Sequence, residues 1–250
     1  MSQAFVRLEK SGGIGTITFF HPSSNAMPGH LLKQLSGVIS QAGADTTIKV
    51  IVLQSEGRTF CAGASFDELI SLKDMDSATS FFMGFANVIL AMRQVPKFVI
   101  AKVQGKAVGG GVGLIAAADY AMATDLAAVK LSELSIGIGP YVIAPAVRRK
   151  IGAAAFSELT INATTWHTAF WGREKGLFAK VFDNLEILND EVELLAGRLV
   201  KYDENATKLL KQELWRGTEH WPQLLNEQAQ ISAKLVLQDF TKNILNSLKK

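Results

Sequence analysis

Several features are scarce in these 250 residues, and each scarcity excludes something. There is one cysteine, Cys61, so no intramolecular disulfide can form, which suits a reducing compartment. Long apolar runs are missing: the longest, Ala107 to Met122, is broken by Asp119 and four glycines and is too short to span a bilayer. Residues 1–7 lack a cationic start followed by an apolar stretch, so no secretory signal is read there. Charge of one sign is also in short supply. The 26 Lys and Arg against 23 Asp and Glu leave a net +3, too small and too dispersed to argue for nucleic acid. The terminal Lys249-Lys250 pair reads as a solvated tail. There is no internal repeat and no low-complexity linker. A soluble cytoplasmic protein, with neither membrane nor nucleic acid as partner, is the expectation.

What is present is a chain able to bury a core, 48% apolar and 20% charged, which excludes disorder for most of its length. At about 150 residues per domain the length suits one large domain or one and a half. Residues 5–9 and 14–19 are β-type runs around Ser11-Gly12-Gly13 and predict a hairpin. After a loop at 21–25, Pro28 stands where a first helical turn tolerates it; Leu31, Leu32, Leu35, Val38 and Ile39 repeat at helical spacing and Gly43 ends the helix. Val50-Ile-Val-Leu reads as a strand covered on both faces. Ser65 is placed to cap a short helix through Leu69 and Leu72, and Asp76 or Ser77 to start a longer one that stops before Pro96. A strand at 98–103, a helix of small residues at 112–118 and a strand at 120–123 follow. This alternation predicts an α/β fold with parallel strands and crossover helices. Beyond Pro140 only 179–182 reads as a strand, and helices are expected at 188–202, 205–216, 224–237 and 239–248. The chain thus divides into a core over 1–195 and a helical region over 196–250, packed on the core or on another subunit.

The glycines are uneven: five fall between Gly105 and Gly113. A Walker loop requires Gly-Lys-Ser/Thr at its end, and the dinucleotide loop requires a third Gly where Leu114 stands, so both phosphate readings fail on spacing. What survives is a set of backbone N–H groups at a helix start, which stabilise negative charge. A second small-residue segment, Phe60-Cys61-Ala62-Gly63-Ala64-Ser65-Phe66, also follows a buried strand. The N–H of Ala64 lies just ahead of the helix start at Ser65. By itself this is an ordinary strand-to-helix turn. Together the two loops can converge on one oxygen as an oxyanion hole, suited to a thioester carbonyl that becomes an enolate. In a third segment, 129–140, Glu133 is a lone carboxylate among apolar residues before a Gly/Pro turn. Burial there raises its pKa toward the range of proton transfer; a surface position is the commoner fate of a lone Glu.

Taken together, these segments resemble the crotonase superfamily, the enoyl-CoA hydratase/isomerase family. Phe60-Cys-Ala-Gly-Ala64 resembles its first oxyanion loop and Ala107-Val-Gly-Gly-Gly-Val its second, while Asn25-Ala26-Met27 after His21-Pro22 resembles its Arg-Pro…Asn-Ala-Leu segment. The resemblance runs over nearly the whole chain. It implies a spiral of ββα units with a C-terminal helical region that builds trimers, often paired into hexamers. It also implies an acyl-CoA substrate held through the backbone N–H groups of Ala64 and Gly110, with Ala62, Ser65, Phe66 and Asp67 along the CoA. No metal or further cofactor is implied, coenzyme A entering as part of the substrate. One departure bears on the reaction. Hydratases of the best-known type carry two glutamates; Glu133 matches the second, and Gly113 stands where the first would be. One base favours a Δ3,Δ2-isomerase, in which Glu133 moves a proton from C2 to C4. The wording around Gly-Gly-Gly-Val-Gly-Leu, Leu-Ser-Glu-Leu and Ile-Gly-Pro-Tyr-Val resembles instead the branch acting on branched glutaconyl-type CoA esters, in which a single glutamate accompanies hydratase activity. A hydratase is the leading reading, an isomerase the alternative, and a non-catalytic CoA- or RNA-binding protein the reading from another class.

Three further residue groups have two readings each, and a fourth has one. Cys61 is a nucleophile or a buried thiol. Tyr141 faces the acyl pocket or the core. His167 with Trp166 and Trp171 lines a pocket or packs a helix. Trp215 and Trp221, in the helical tail, are expected to serve a subunit interface.

Overall fold

β1 (Phe5–Ser11) and β2 (Ile14–Phe20) form the expected hairpin, Phe5 opposite Phe20 and Ser11 opposite Ile14. Gly12 and Gly13 turn it, both at positive φ, which glycine enters without a Cβ clash. These coordinates are a computed structural model that describes residues 3–248; the Lys249-Lys250 tail lies outside them.

From β2 onward a pattern repeats: a long strand, a very short strand in a second layer, then helix. β3 (Ala26–Met27) and α1 (Gly29–Ala44) follow β2. β4 (Val50–Ser55) leads to β5 (Gly63–Ala64), α2 (Phe66–Ser71) and α3 (Met75–Gln94). β6 (Val99–Val103) leads to β7 (Ala107–Val108) and α4 (Gly110–Ala117). β8 (Tyr120–Thr124) leads to β9 (Ala128–Lys130), a 3-10 turn at Glu133–Ile136 and α5 (Ala144–Ile161). The long strands line up as β1-β2-β4-β6-β8, parallel from β2 on. The short ones pair among themselves, β3 with β5 and β7 with β9, and Cys61 bridges to Ala107 between the two pairs.

The remainder is β10 (His167–Thr168), α6 (Ala169–Glu174) and β11 (Lys180–Phe182), which adds to the main sheet beside β8, and then α7 (Leu185–Leu199), α8 (Glu204–Leu214), α9 (Trp221–Val236) and α10 (Asp239–Leu248). The apolar run of β4 is explained by period-2 alternation between two covered faces. Val50 and Val52 pack with Leu188, Val192 and Ala196 of α7, while Ile51 and Leu53 join the main core. Residue 195, the expected boundary between core and helical region, therefore lies within a helix seated on the sheet.

Three expectations need correction. α3 begins earlier than expected, because Asp74 caps it by accepting from the Ser77 N–H at 2.8 Å. The stretch 141–187 holds two helices, α5 and α6, that periodicity did not reveal, α5 being kinked at Gly152 with φ 77°. Trp215 and Trp221 are not surface residues; both are buried, edge to face at 5.6 Å. The Trp215 indole donates to Asp119 Oδ1 at 2.7 Å, and Asp119 Oδ2 takes Lys211 Nζ at 2.9 Å and the Val99 N–H at 2.7 Å. This buried carboxylate ties α8 to β6. α3 has the length and hydropathy to cross a bilayer, yet it is a core helix whose Phe81, Phe85, Val88, Ile89 and Met92 are buried, and it packs on α1 and α9.

Candidate active site

The two glycine-bearing loops meet at backbone distance. Phe60 and Cys61 both donate to Lys106 O, at 3.0 and 3.2 Å, and the Val108 N–H donates back to Cys61 O at 2.9 Å. Gly63 has φ 87°, and a Cβ there would stand 2.8 Å from Val108 O, so only glycine permits this approach. Asn25 pins the first loop from below. Its own φ is 59°, its amide donates to Glu56 O and Thr59 O, both at 2.7 Å, and its Oδ1 accepts from the His21 N–H at 2.8 Å. The loop's edge is held by Ala62 N–H to Ser24 O at 3.1 Å and Ser65 N–H to Met27 O at 3.3 Å.

Ala64 closes β5 immediately before Ser65, which caps α2 by accepting from the Glu68 N–H. Gly110 opens α4, and its N–H is one that no carbonyl of its own helix can reach. Gly109, just before it, has φ 52° and is fixed by N–H to Lys130 O at 2.9 Å. A Cβ on Gly109 would lie 2.7 Å from Glu133 Oε1, so the carboxyl group of Glu133 sits directly over the start of α4. A Cβ on Gly110 would strike the Phe85 ring at 2.1 Å, and one on Gly113 would strike Ile143 Cγ2 at 2.4 Å. The space toward which any side chain at 113 would point is thus filled by an apolar residue.

Glu133 opens the 3-10 turn, which Gly137 ends at φ 83°. Although the residue keeps some exposed surface, its carboxyl end is buried and Oε2 has no hydrogen-bond partner. Burial pushes its pKa up to about 7. The surface alternative is excluded for this residue.

Ala64, Gly110 and Glu133 border one cleft, together with Ala62, Phe66 and Tyr141. Leu69, Phe82, Phe85, Ile136, Val142 and Ile143 make its walls apolar. Tyr141 thereby takes the cleft-facing of its two readings. Ser65 and Asp67 lie outside the lining; Phe66 stands between the cleft and a shallow depression that Asp67 borders with Ile70 and Leu248. Cys61 is wholly buried, its thiol pushed up to about 12 by burial, which suits a small apolar filler rather than a nucleophile. His167 belongs to a separate cluster, its ring 4.4 Å from that of Trp171 and 3.7 Å from Glu158 Oε1. Trp166 is outside the cleft too, its ring flanked by the ammonium groups of Lys106 and Lys130 at 4.8 and 4.6 Å. Phe82, Phe85, Ile143 and Ser232 of α9 were not foreseen as cleft residues. Each arrives from another element through long-range packing, and no local pattern marks it.

A family model described as enoyl-CoA hydratase/isomerase matches residues 9–247. A relative named probable enoyl-CoA hydratase in Bacillus subtilis is 31% identical over 147 residues, which cover 58% of this chain and 57% of that protein. The match to it therefore spans little more than half its length. The short-chain-enoyl-CoA hydratase of Clostridium acetobutylicum is 28% identical over 217 residues, 86% of this chain and 82% of the relative. Among solved structures, an enoyl-CoA hydratase from Bacillus halodurans superimposes with a TM-score of 0.90 at 22% identity, covering 97% of this chain and 99% of that one; a likeness at this identity speaks for the fold.

Proposed function

The chain is an enzyme of the enoyl-CoA hydratase/isomerase family, and from that premise we propose that it hydrates an enoyl-CoA with Glu133 as its only proton carrier. The observation that carries this reading is the Glu133 carboxyl group placed over Gly109, at the start of α4 and inside an apolar cleft. The thioester oxygen would accept from the N–H groups of Ala64 and Gly110, which hold the charge as it moves onto the oxygen. Ionised Glu133 takes a proton from water as the water oxygen bonds to C3. The electron pair of the C2–C3 double bond passes into the thioester enolate. Glu133, now protonated, returns its proton to C2, and the sum is one water added. The raised pKa suits both halves, since a group near 7 both accepts and donates at neutral pH.

One observation favours a second reading. Ile143 fills the space beside Gly113, so the cleft holds one carboxylate and no room for another there. A 3-enoyl-CoA isomerase needs only one base, taking the C2 proton and returning it at C4. A non-catalytic role fits less well, because an unpaired buried carboxylate works against folding. Among the described residues that line the cleft none is Lys, Arg or His, a lining that favours neutral acyl chains over a second carboxylate. Coenzyme A would run past Ala62, Ser65, Phe66 and Asp67 at the cleft mouth, with no metal or separate cofactor, in a cytoplasmic homotrimer or hexamer built through the helical region.

The test is to offer the protein 2-enoyl-, 3-enoyl- and 3-methylglutaconyl-CoA. A 3-hydroxyacyl product from the 2-enoyl ester is expected. Conversion of the 3-enoyl ester to the 2-enoyl ester without hydration would make the enzyme an isomerase.

A further inference from the structure

The buried stripe of α9 is Trp221, Leu225, Ala229, Ser232, Ala233 and Val236, facing α3. Ser232 is its single polar member, 1% exposed. It reaches the cleft wall beside Phe82 and Phe85 of α3. Its hydroxyl makes no hydrogen bond among the described residues, not even to the carbonyl one turn back, the acceptor that Ser40 finds in Ser36 O at 3.0 Å. A hydroxyl inside an apolar wall gains from any partner that arrives and loses when only hydrocarbon does.

We infer that Ser232 is a specificity-determining residue that selects acyl chains carrying a neutral oxygen, hydroxyl or carbonyl, beyond C3. This rests on the acyl-CoA reading of the cleft. An anionic chain end is disfavoured, because among the described residues of the lining Glu133 is the charged one and no cation stands with it. An unadorned alkyl chain would leave the hydroxyl unpaired, and a site built around a hydrogen bond discriminates against ligands that lack it. If Ser232 served only as a small residue letting α9 approach α3, alanine would do the same.

The experiment compares wild type with Ser232→Ala in calorimetric binding of saturated esters: hexanoyl-CoA and its 4-oxo, 5-oxo and 6-hydroxy counterparts. Wild type is expected to bind at least one of the oxygenated esters about tenfold tighter than hexanoyl-CoA, and the variant to lose that preference while retaining hexanoyl-CoA. Equal preferences in the two proteins, with both esters bound, would overturn the inference and leave the acyl-CoA reading standing. Failure of wild type to bind any of the esters would remove the acyl-CoA reading and this inference with it.

Discussion

Glu133 sits where burial and function oppose each other. In the unfolded chain its carboxyl group titrates near 4.5, and in the fold it is pushed up to about 7. Below 4.5 it is protonated in both states and has no effect on stability. Between 4.5 and 7 the fold retains a proton that the unfolded chain releases, so stability falls as pH rises; above about 7 the loss is complete, at most about 3 kcal/mol. Glu133→Gln removes that penalty. The variant is expected to melt higher than wild type at pH 8 and alike at pH 4, read by thermal unfolding. Its turnover is expected to fall by about 10³-fold with binding of CoA esters kept. Wild-type kcat/KM should climb with pH to a plateau above about 7, since the water proton requires the ionised form. Wild-type rates in the variant would take the proton-carrier role away from Glu133. The isolation of this residue in an apolar segment was legible in the sequence. Its burial was not, because that depends on α4, α5 and the Gly109 turn meeting over it.

At the level of elements, the loops were legible where chemistry is local. Ser65 as a cap and Gly12-Gly13 as a turn follow from side-chain oxygen and φ alone. The strands β3, β5 and β7 have two residues each, too few for any periodicity, and exist because the loops pair across the spiral. α8 is similar: its register is set by Lys211, which donates to Met92 O and Lys97 O, both at 2.7 Å, and to Asp119. Burial pushes the Lys211 pKa down and Asp119 pulls it back up. Asp119→Ala would leave this ammonium among carbonyls with no counter-charge and strip the Trp215 indole of its acceptor. A loss of about 3–5 kcal/mol is expected, read as a lower urea midpoint by tryptophan fluorescence. A change within about 0.5 kcal/mol would mean that α8 is held by apolar packing alone.

On the scale of the whole molecule, the helical region leaves large apolar side chains at the surface. Leu209, Leu210 and Leu214 of α8 and Leu194 of α7 are about half exposed, with Ile161 and Leu126 more so. Exposed apolar surface of this kind marks interfaces when it is contiguous. Light scattering after gel filtration is expected to give three or six times the 27.1 kDa of one chain. A monomer at micromolar concentration would remove the trimer from the proposal.

The sequence by itself determined the alternation of strands and helices, the two small-residue loops after buried strands and the candidate carboxylate. Each of these depends on spacing, on φ or on side-chain chemistry within a few residues. Only the tertiary structure decided that the loops meet, that the Glu133 carboxyl is buried, that Ile143 occupies the space beside Gly113 and that α9 brings Ser232 to the cleft wall. Those outcomes come from chain segments far apart in sequence, joined by burial, which is non-directional and leaves no local mark.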